Sequence, residues 1–240
     1  MANLQVADRL ARVRENITNA CVRAGRPEGS VQLVAVTKRI ALPLVVQACA
    51  AGQKHLGENR VQDALDRQPQ LTALLNQAGL DGAAPIWHFI GHLQRNKAGK
   101  AAGRFALIHS VDSLDLAERL SRRCLADECR QDILLEVNIS AEAQKNGLSP
   151  DQVNDVAAAV AALPGLRLQG LMGMARRDAE PRQLVETFAL LRRLCEDART
   201  TTGLPLPELS MGMSGDYELA IAEGATTVRV GSAIFGPRET

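Results

Sequence analysis

Eight times along this chain a short run of apolar, largely β-branched residues is followed by a stretch with helical spacing. The runs fall at 31–38 (VQLVAVTK), 55–58, 85–91, 105–111, 132–140, 166–175, 208–213 and 226–231. Strands that alternate with helices build a parallel sheet, and eight such units close into a (β/α)8 TIM barrel. A doubly wound sheet is the competitor, but it usually has fewer strands and a glycine-rich first turn. The turn here, VAVTKRIAL (34–42), contains no glycine. The length of 240 residues suits one barrel domain of about 250 residues, so 1–240 is read as a single domain. Ahead of the first strand, residues 3–24 form an extra N-terminal helix with Leu4, Ala7, Leu10, Ala11 and Ile17 at helical spacing, ended by Gly25 and Pro27.

Composition narrows the function classes. The net charge is +1 with both signs interspersed, and aromatic residues make up 2% of the chain. Neither a nucleic-acid footprint nor an anionic-membrane patch follows from that balance. The cysteines at 21, 49, 124, 129 and 195 are odd in number and form no CxxC, so free thiols in a reducing compartment fit best. The first residues are a polar amphipathic helix and lack the apolar core of a signal peptide, and no apolar run is long enough to span a bilayer. The expected location is cytoplasmic.

Ligands of parallel barrels bind at the C-terminal ends of the strands. The polar residues expected there are Lys38, Glu58, Asn59, His88, His92, His109, Glu136, Asn138, Ser214, Arg229 and Ser232, with Met172, Met174, Met213 and Gly231 among them. No histidine pair has metal-binding spacing and no GxSxG is present. Lys38 ends an apolar strand and shares a face with residues 34 and 36. If that face is the interior, the amine rises into the barrel mouth, where burial and a nearby cation suit it to condense with an aldehyde. The plain alternative is a snorkelling lysine at a strand end. Arg229 alternates with Val228 and Val230, so Thr227, Arg229 and Gly231 point inward. Such a guanidinium needs a partner: either an internal salt bridge, for instance to Glu136, or a ring nitrogen of a ligand.

The turns after strands seven and eight are small and glycine-rich, at Ser214–Gly215 and Gly231–Ser232. Each leads into a helix whose first N–H groups lack intrahelical partners. Ser214 alone reads as an ordinary N-cap. Two such turns at the positions where these barrels recurrently hold phosphate favour an anion site.

The residues together resemble the pyridoxal phosphate homeostasis protein family, related in fold to the N-terminal barrel of alanine racemase. The resemblance runs through VAVTK (34–38), GENRVQDA (57–64), WHFIGHLQRNK (87–97), IHSVDS (108–113), EVNISAEAQKNGL (136–148), GLMGMA (170–175) and residues 210–236, in one order over nearly the whole chain. It implies a fold-type III barrel with pyridoxal 5′-phosphate held as an aldimine on Lys38. It also implies phosphate contacts at Ser214, Gly231 and Ser232, and Arg229 facing the pyridine nitrogen. Asn59 matches a position in the cofactor pocket, Met213 lines the ring, and Lys145 matches a lysine tied to cofactor release or a second site. The implied role is a non-catalytic carrier and regulator of the cofactor in vitamin B6 and amino-acid homeostasis. Its partners would be B6 vitamers and apo forms of cofactor-dependent enzymes, and the chain would be a monomer.

The alternative is a weak fold-type III amino-acid racemase. Racemisation needs a second base on the far face of the substrate, which in racemases is a tyrosine from an added β domain and a partner subunit. The sequence reaches Thr240 directly after the eighth unit, and its one tyrosine, Tyr217, reads as a packing residue. An arginine opposite the ring nitrogen also weakens the electron sink.

Overall fold

A computed structural model describes residues 5–142 and 144–237. Leu4 of the expected first helix lies outside them. The elements run α1 (Val6–Arg23), β1 (Gln32–Val36), α2 (Leu42–Ala50), β2 (His55–Glu58), α3 (Val61–Gln77), β3 (Ile86–Phe89), α4 (Ala98–Ala101), β4 (Leu107–Val111) and α5 (Leu114–Ala126). They continue with β5 (Gln131–Val137), α6 (Val153–Ala161), β6 (Leu166–Gly173), α7 (Pro181–Thr202), β7 (Glu208–Ser210), α8 (Tyr217–Ala222), β8 (Thr227–Val230) and α9 (Ser232–Phe235). The strands form one closed barrel in chain order, and each neighbouring pair is parallel.

All eight expected runs become strands, most of them shorter than expected. The first stops at Val36 because Thr37–Arg39 turn, with Arg39 at φ 60°. The seventh stops at Ser210, since Gly212 takes φ 92° and the Met213 N–H turns to Asp216 Oδ1 at 2.5 Å. The helix expected after the third strand is a 3-10 turn at Arg95–Lys97 followed by the single turn of α4.

Strand parity divides the side chains into two cores. Ala35, Leu56, Phe89, Ile108, Ile133, Leu135, Leu171, Leu209, Val228 and Val230 join the outer cluster between barrel and helices. Residues of opposite parity, Leu107, Leu134 and Met172 with Met174, form a separate small cluster inside the barrel. Val34 and Val36 are buried and also absent from the outer cluster, as the shared face with position 38 predicts. Each fully buried large aliphatic side chain contributes about 1.5–3 kcal/mol, so two faces of opposite polarity preference hold the register firmly.

The extra helix has a structural task. Among the described residues the helix after β8 is the single turn α9, too short to cover the seam where β8 meets β1. Helix α1 packs against α2, α8 and α9 and shields that seam. Its buried stripe is Val6, Leu10, Val13, Ile17, Ala20 and Cys21. Ala7 and Ala11, expected on that stripe, are exposed. The larger residues at 6 and 13 win the inward positions because they remove more apolar area from water.

The tightest backbone approach in the barrel wall is at Gly170. It takes φ 151° at a shift of register between β5 and β6, and a Cβ there would meet Glu208 O within 1.8 Å. Gly170→Ala is expected to force β6 and β7 apart and to destabilise the fold by about 3 kcal/mol or more, read as a lower urea midpoint. A midpoint equal to wild type would contradict this packing.

Candidate functional site

The mouth is built where β1 and β8 meet. Their register pairs Val34 with Arg229 and Ala35 with Val230, so the turn carrying Lys38 and the turn carrying Gly231 leave the barrel side by side. Gly231 sits close against β1: a Cβ there would lie 3.3 Å from Val36 Cβ. The Lys38 turn is braced from below. Thr37 Oγ1 donates to Glu58 Oε1 at 2.7 Å, and Arg67 Nε lies 3.2 Å from the same oxygen. Arg67 Nη2 also donates to Ile40 O at 2.7 Å, closing the loop on both sides of Lys38. Burial pushes the Glu58 carboxyl up, while the Thr37 hydroxyl and Arg67 oppose that shift. Lys38 itself is half-buried.

The glycine-rich turns come together as well. The N–H groups of Gly231 and Ala233 both point at Ser214 Oγ, at 3.2 and 3.4 Å. Two backbone donors from the turn after β8 thus converge on one oxygen supplied by the turn after β7. That donor set suits a phosphate oxygen, for which the serine hydroxyl stands in. Ser232 is exposed beside it, and Ser214, Met213, Asn59 and Gly231 are half-buried on the same rim. Asn59 is fixed by a close crossing, since a Cβ on Gly91 would meet the Asn59 carbonyl oxygen at 2.2 Å.

Arg229 is buried inside the barrel, as its parity predicts. Its partners differ from the salt bridge weighed above. Nη1 donates to Ser210 Oγ at 2.5 Å and Nη2 to Gly173 O at 3.0 Å. Glu136 acts on it only through space, and desolvation draws the guanidinium down to about 10, so it stays charged at neutral pH. Glu136 keeps Oε2 without a hydrogen-bond partner. Burial, with Asp112 adding to it and Arg229 opposing, lifts its carboxyl to about 7. Glu136 therefore has an orphaned acceptor, and Arg229 is an anchored cation, in the barrel whose rim carries the converging Gly231 and Ala233 donors.

The other expected rim residues divide. His92 is on the rim, its Nδ1 3.1 Å from Asp112 Oδ2, and Arg95 pairs with Asp115 at 3.2 Å. His88 and His109 are instead buried within the barrel. Leu148 returns to the end of β5, where its carbonyl accepts from Asn138 N–H at 2.9 Å. Lys145 is half-buried there, paired with Glu142 and donating to Ala175 O at 3.2 Å. Tyr217 packs against α1, its hydroxyl accepting from Asn16 Nδ2 at 3.1 Å. Among the described residues no group of His, Cys, Asp and Glu is arranged to hold a metal ion.

A family model described as the alanine racemase N-terminal domain matches residues 9–239. The pyridoxal phosphate homeostasis protein of Pseudomonas aeruginosa is 43% identical over 235 residues, covering 98% of this chain and 96% of that protein. Its namesake in Escherichia coli K12 is 39% identical over 236 residues, covering 98% and 97%.

The chain belongs to the pyridoxal phosphate homeostasis protein family.

Solved structures agree. PipY of Synechococcus elongatus, in a structure with pyridoxal phosphate bound, superposes with a TM-score of 0.80 at 36% identity, covering 97% of this chain and 100% of that one. Alanine racemase of Clostridium difficile, at 13% identity and a TM-score of 0.71, covers 97% of this chain and 58% of its own, and shares the fold.

Sequence reasoning missed Thr37, Arg67 and Ser210 in this family member. The first two act through a turn that closes only once β1 and β2 pair. Ser210 has the inward parity of Met172 and Arg229 in the strand runs, a signal that was available in the alternation itself.

Glu136 yields a pH-dependent expectation. Its folded value of about 7 lies above the 4.5 of the free side chain, so the native state holds more protons than the unfolded between those values. Stability therefore falls as pH rises through that window, and the penalty is complete above it. Glu136→Gln should stabilise the protein at about pH 8, by up to roughly 3 kcal/mol, with the gain vanishing towards pH 4.5. Urea unfolding at several pH values measures this; a gain that does not change with pH would contradict it.

Proposed function

We propose that this chain binds pyridoxal 5′-phosphate in the barrel mouth, covalently through Lys38, and acts as a non-catalytic carrier and regulator of that cofactor. The observation that carries the reading is the convergence of the Gly231 and Ala233 N–H groups on Ser214 Oγ, beside the turn that presents Lys38. The names of the chain's relatives and the ligand of PipY support it.

Each residue has a defined task. Ser214, Gly231 and Ser232 receive the phosphate with hydroxyl and amide donors. The Lys38 amine condenses with the aldehyde, releasing one water, on a turn held rigid by Thr37, Glu58 and Arg67. Arg229 meets the ring nitrogen; a guanidinium carries only donors, so it keeps that nitrogen an unprotonated acceptor. Met213 lines the ring and Asn59 closes its edge, while Lys145 in the loop before α6 serves either release or a second site. When bound, the cofactor supplies an aldehyde and an electron-withdrawing ring.

The same groups disfavour turnover. The one tyrosine of the sequence is buried against α1, and its hydroxyl is taken up by Asn16. An unprotonated ring nitrogen withdraws electrons weakly. A carrier that presents the vitamer to apo enzymes fits these groups better than a racemase. We read residues 1–240 as one domain, acting as a monomer. The free thiols of the cysteines support a cytoplasmic location.

Purified protein loaded with pyridoxal 5′-phosphate should show a visible absorbance band that Lys38→Ala abolishes. A band unchanged in that variant would refute the attachment. With L-alanine in deuterium oxide, the carrier reading expects no multiple-turnover exchange at Cα; sustained exchange would favour the racemase.

A further inference from the structure

A line of polar side chains crosses the barrel interior below the mouth. His55 Nδ1 lies 3.0 Å from His88 Nε2. His88 Nδ1 lies 2.9 Å from His109 Nε2. His109 Nδ1 lies 2.8 Å from Ser210 Oγ, which accepts from Arg229 Nη1. The imidazoles meet tilted, at interplanar angles of 53° and 63°, so ring nitrogens face each other instead of stacking. His88, His109, Ser210 and Arg229 are buried. His55 begins β2 at the opposite end of the barrel, half-buried in a cleft with Arg14, Gly29, Gln53 and Lys54.

Hydrogen counting sets the direction of the line. Arg229 can only donate, so Ser210 Oγ accepts from it. The single hydroxyl hydrogen of Ser210 is then met by His109 Nδ1. A neutral imidazole that accepts at Nδ1 donates at Nε2, so His109 donates to His88 Nδ1 and His88 to His55 Nδ1. In the reverse order Ser210 Oγ would accept from both Arg229 and His109, and its own hydroxyl hydrogen would have no acceptor among the hydrogen bonds of the described residues. All three rings are neutral in this scheme. Burial is the main reason: it lowers His109 far below 6.5 with help from His88 and Arg229, and takes His88 to about 3 with help from His55. His55 is lowered by burial and by Lys54, against Glu208.

We propose that His109, His88 and His55 form a one-way hydrogen-bond relay that, through Ser210, positions Arg229 for the group it meets in the mouth. His109 is on this account a positioning residue for the binding site, and its relay couples that site to the cleft at the far end of the barrel. The link to a ring ligand rests on the function proposed above; the relay itself does not.

The sequence contains four histidines, so imidazole ¹⁵N spectra of the full chain are assignable one ring at a time. Without added cofactor, His55, His88 and His109 should each show an unprotonated Nδ1 and a protonated Nε2. A protonated Nδ1 on His109 would overturn the relay, whatever the outcome at Lys38. Ser210→Ala should shift the signals of all three rings and leave those of His92 in place; His88 and His55 signals that stay unchanged in a folded variant would also overturn it. The same variant should bind pyridoxal 5′-phosphate about tenfold more weakly, the low end for a lost hydrogen bond to a charged group. Ser210→Thr, which keeps the hydroxyl, should restore both the wild-type tautomers and the affinity. Equal affinity in Ser210→Ala would show that the relay does not serve the site.

Discussion

The closing of the barrel between β1 and β8 is the interaction on which the rest depends. Before it forms, Lys38 and Gly231 are separated by nearly the whole chain. The parallel register of Val34 with Arg229 and Ala35 with Val230 makes them neighbours. Parallel pairing of distant strands is entropically slow and is repaid only when both faces are buried. Here the outer face of the seam is covered by α1, because α9 is a single turn. The N-terminal helix therefore helps keep shut the seam that aligns the two turns.

The interior shows how a barrel core can be polar and still stable. Barrels of this type usually fill their centre with branched apolar residues. This one places His88, His109, Ser210, Thr227, Glu136 and Arg229 there, all buried. Unpaired, such groups would cost several kcal/mol each. The histidine–serine line satisfies both ring nitrogens of the buried His88 and His109, and the Gly173 carbonyl takes the second arm of Arg229. The exception is Glu136, which holds an unsatisfied oxygen near the mouth. A defect of that kind persists where the surrounding fold is held in place by other interactions.

Much of this was legible in the sequence, for identifiable reasons. Apolar runs between stretches of helical spacing marked all eight strands, and period-two alternation marked the inward placement of Arg229, because a buried strand face leaves no freedom in register. The paired turns at Ser214 and Gly231 were legible because small residues before a helix have few other uses. The stripe of α1 was misread at Ala7 and Ala11, since alanine is compatible with either face. Of the two partners open to Arg229, a carboxylate or a ligand ring nitrogen, the structure shows neither: it donates to a hydroxyl and a carbonyl. That difference is a matter of three-dimensional reach, which alternation does not encode. The histidine line was invisible for the same reason: His55, His88 and His109 lie on successive strands, and only the stagger of the closed barrel sets their nitrogens end to end.

The proposed function stands on one covalent bond, to Lys38 in the turn after β1. Borohydride reduction of the cofactor-loaded protein, followed by peptide mass mapping, tests it directly. The account predicts a single reduced phosphopyridoxyl adduct on Lys38. An adduct spread over surface lysines, or confined to Lys145, would contradict it.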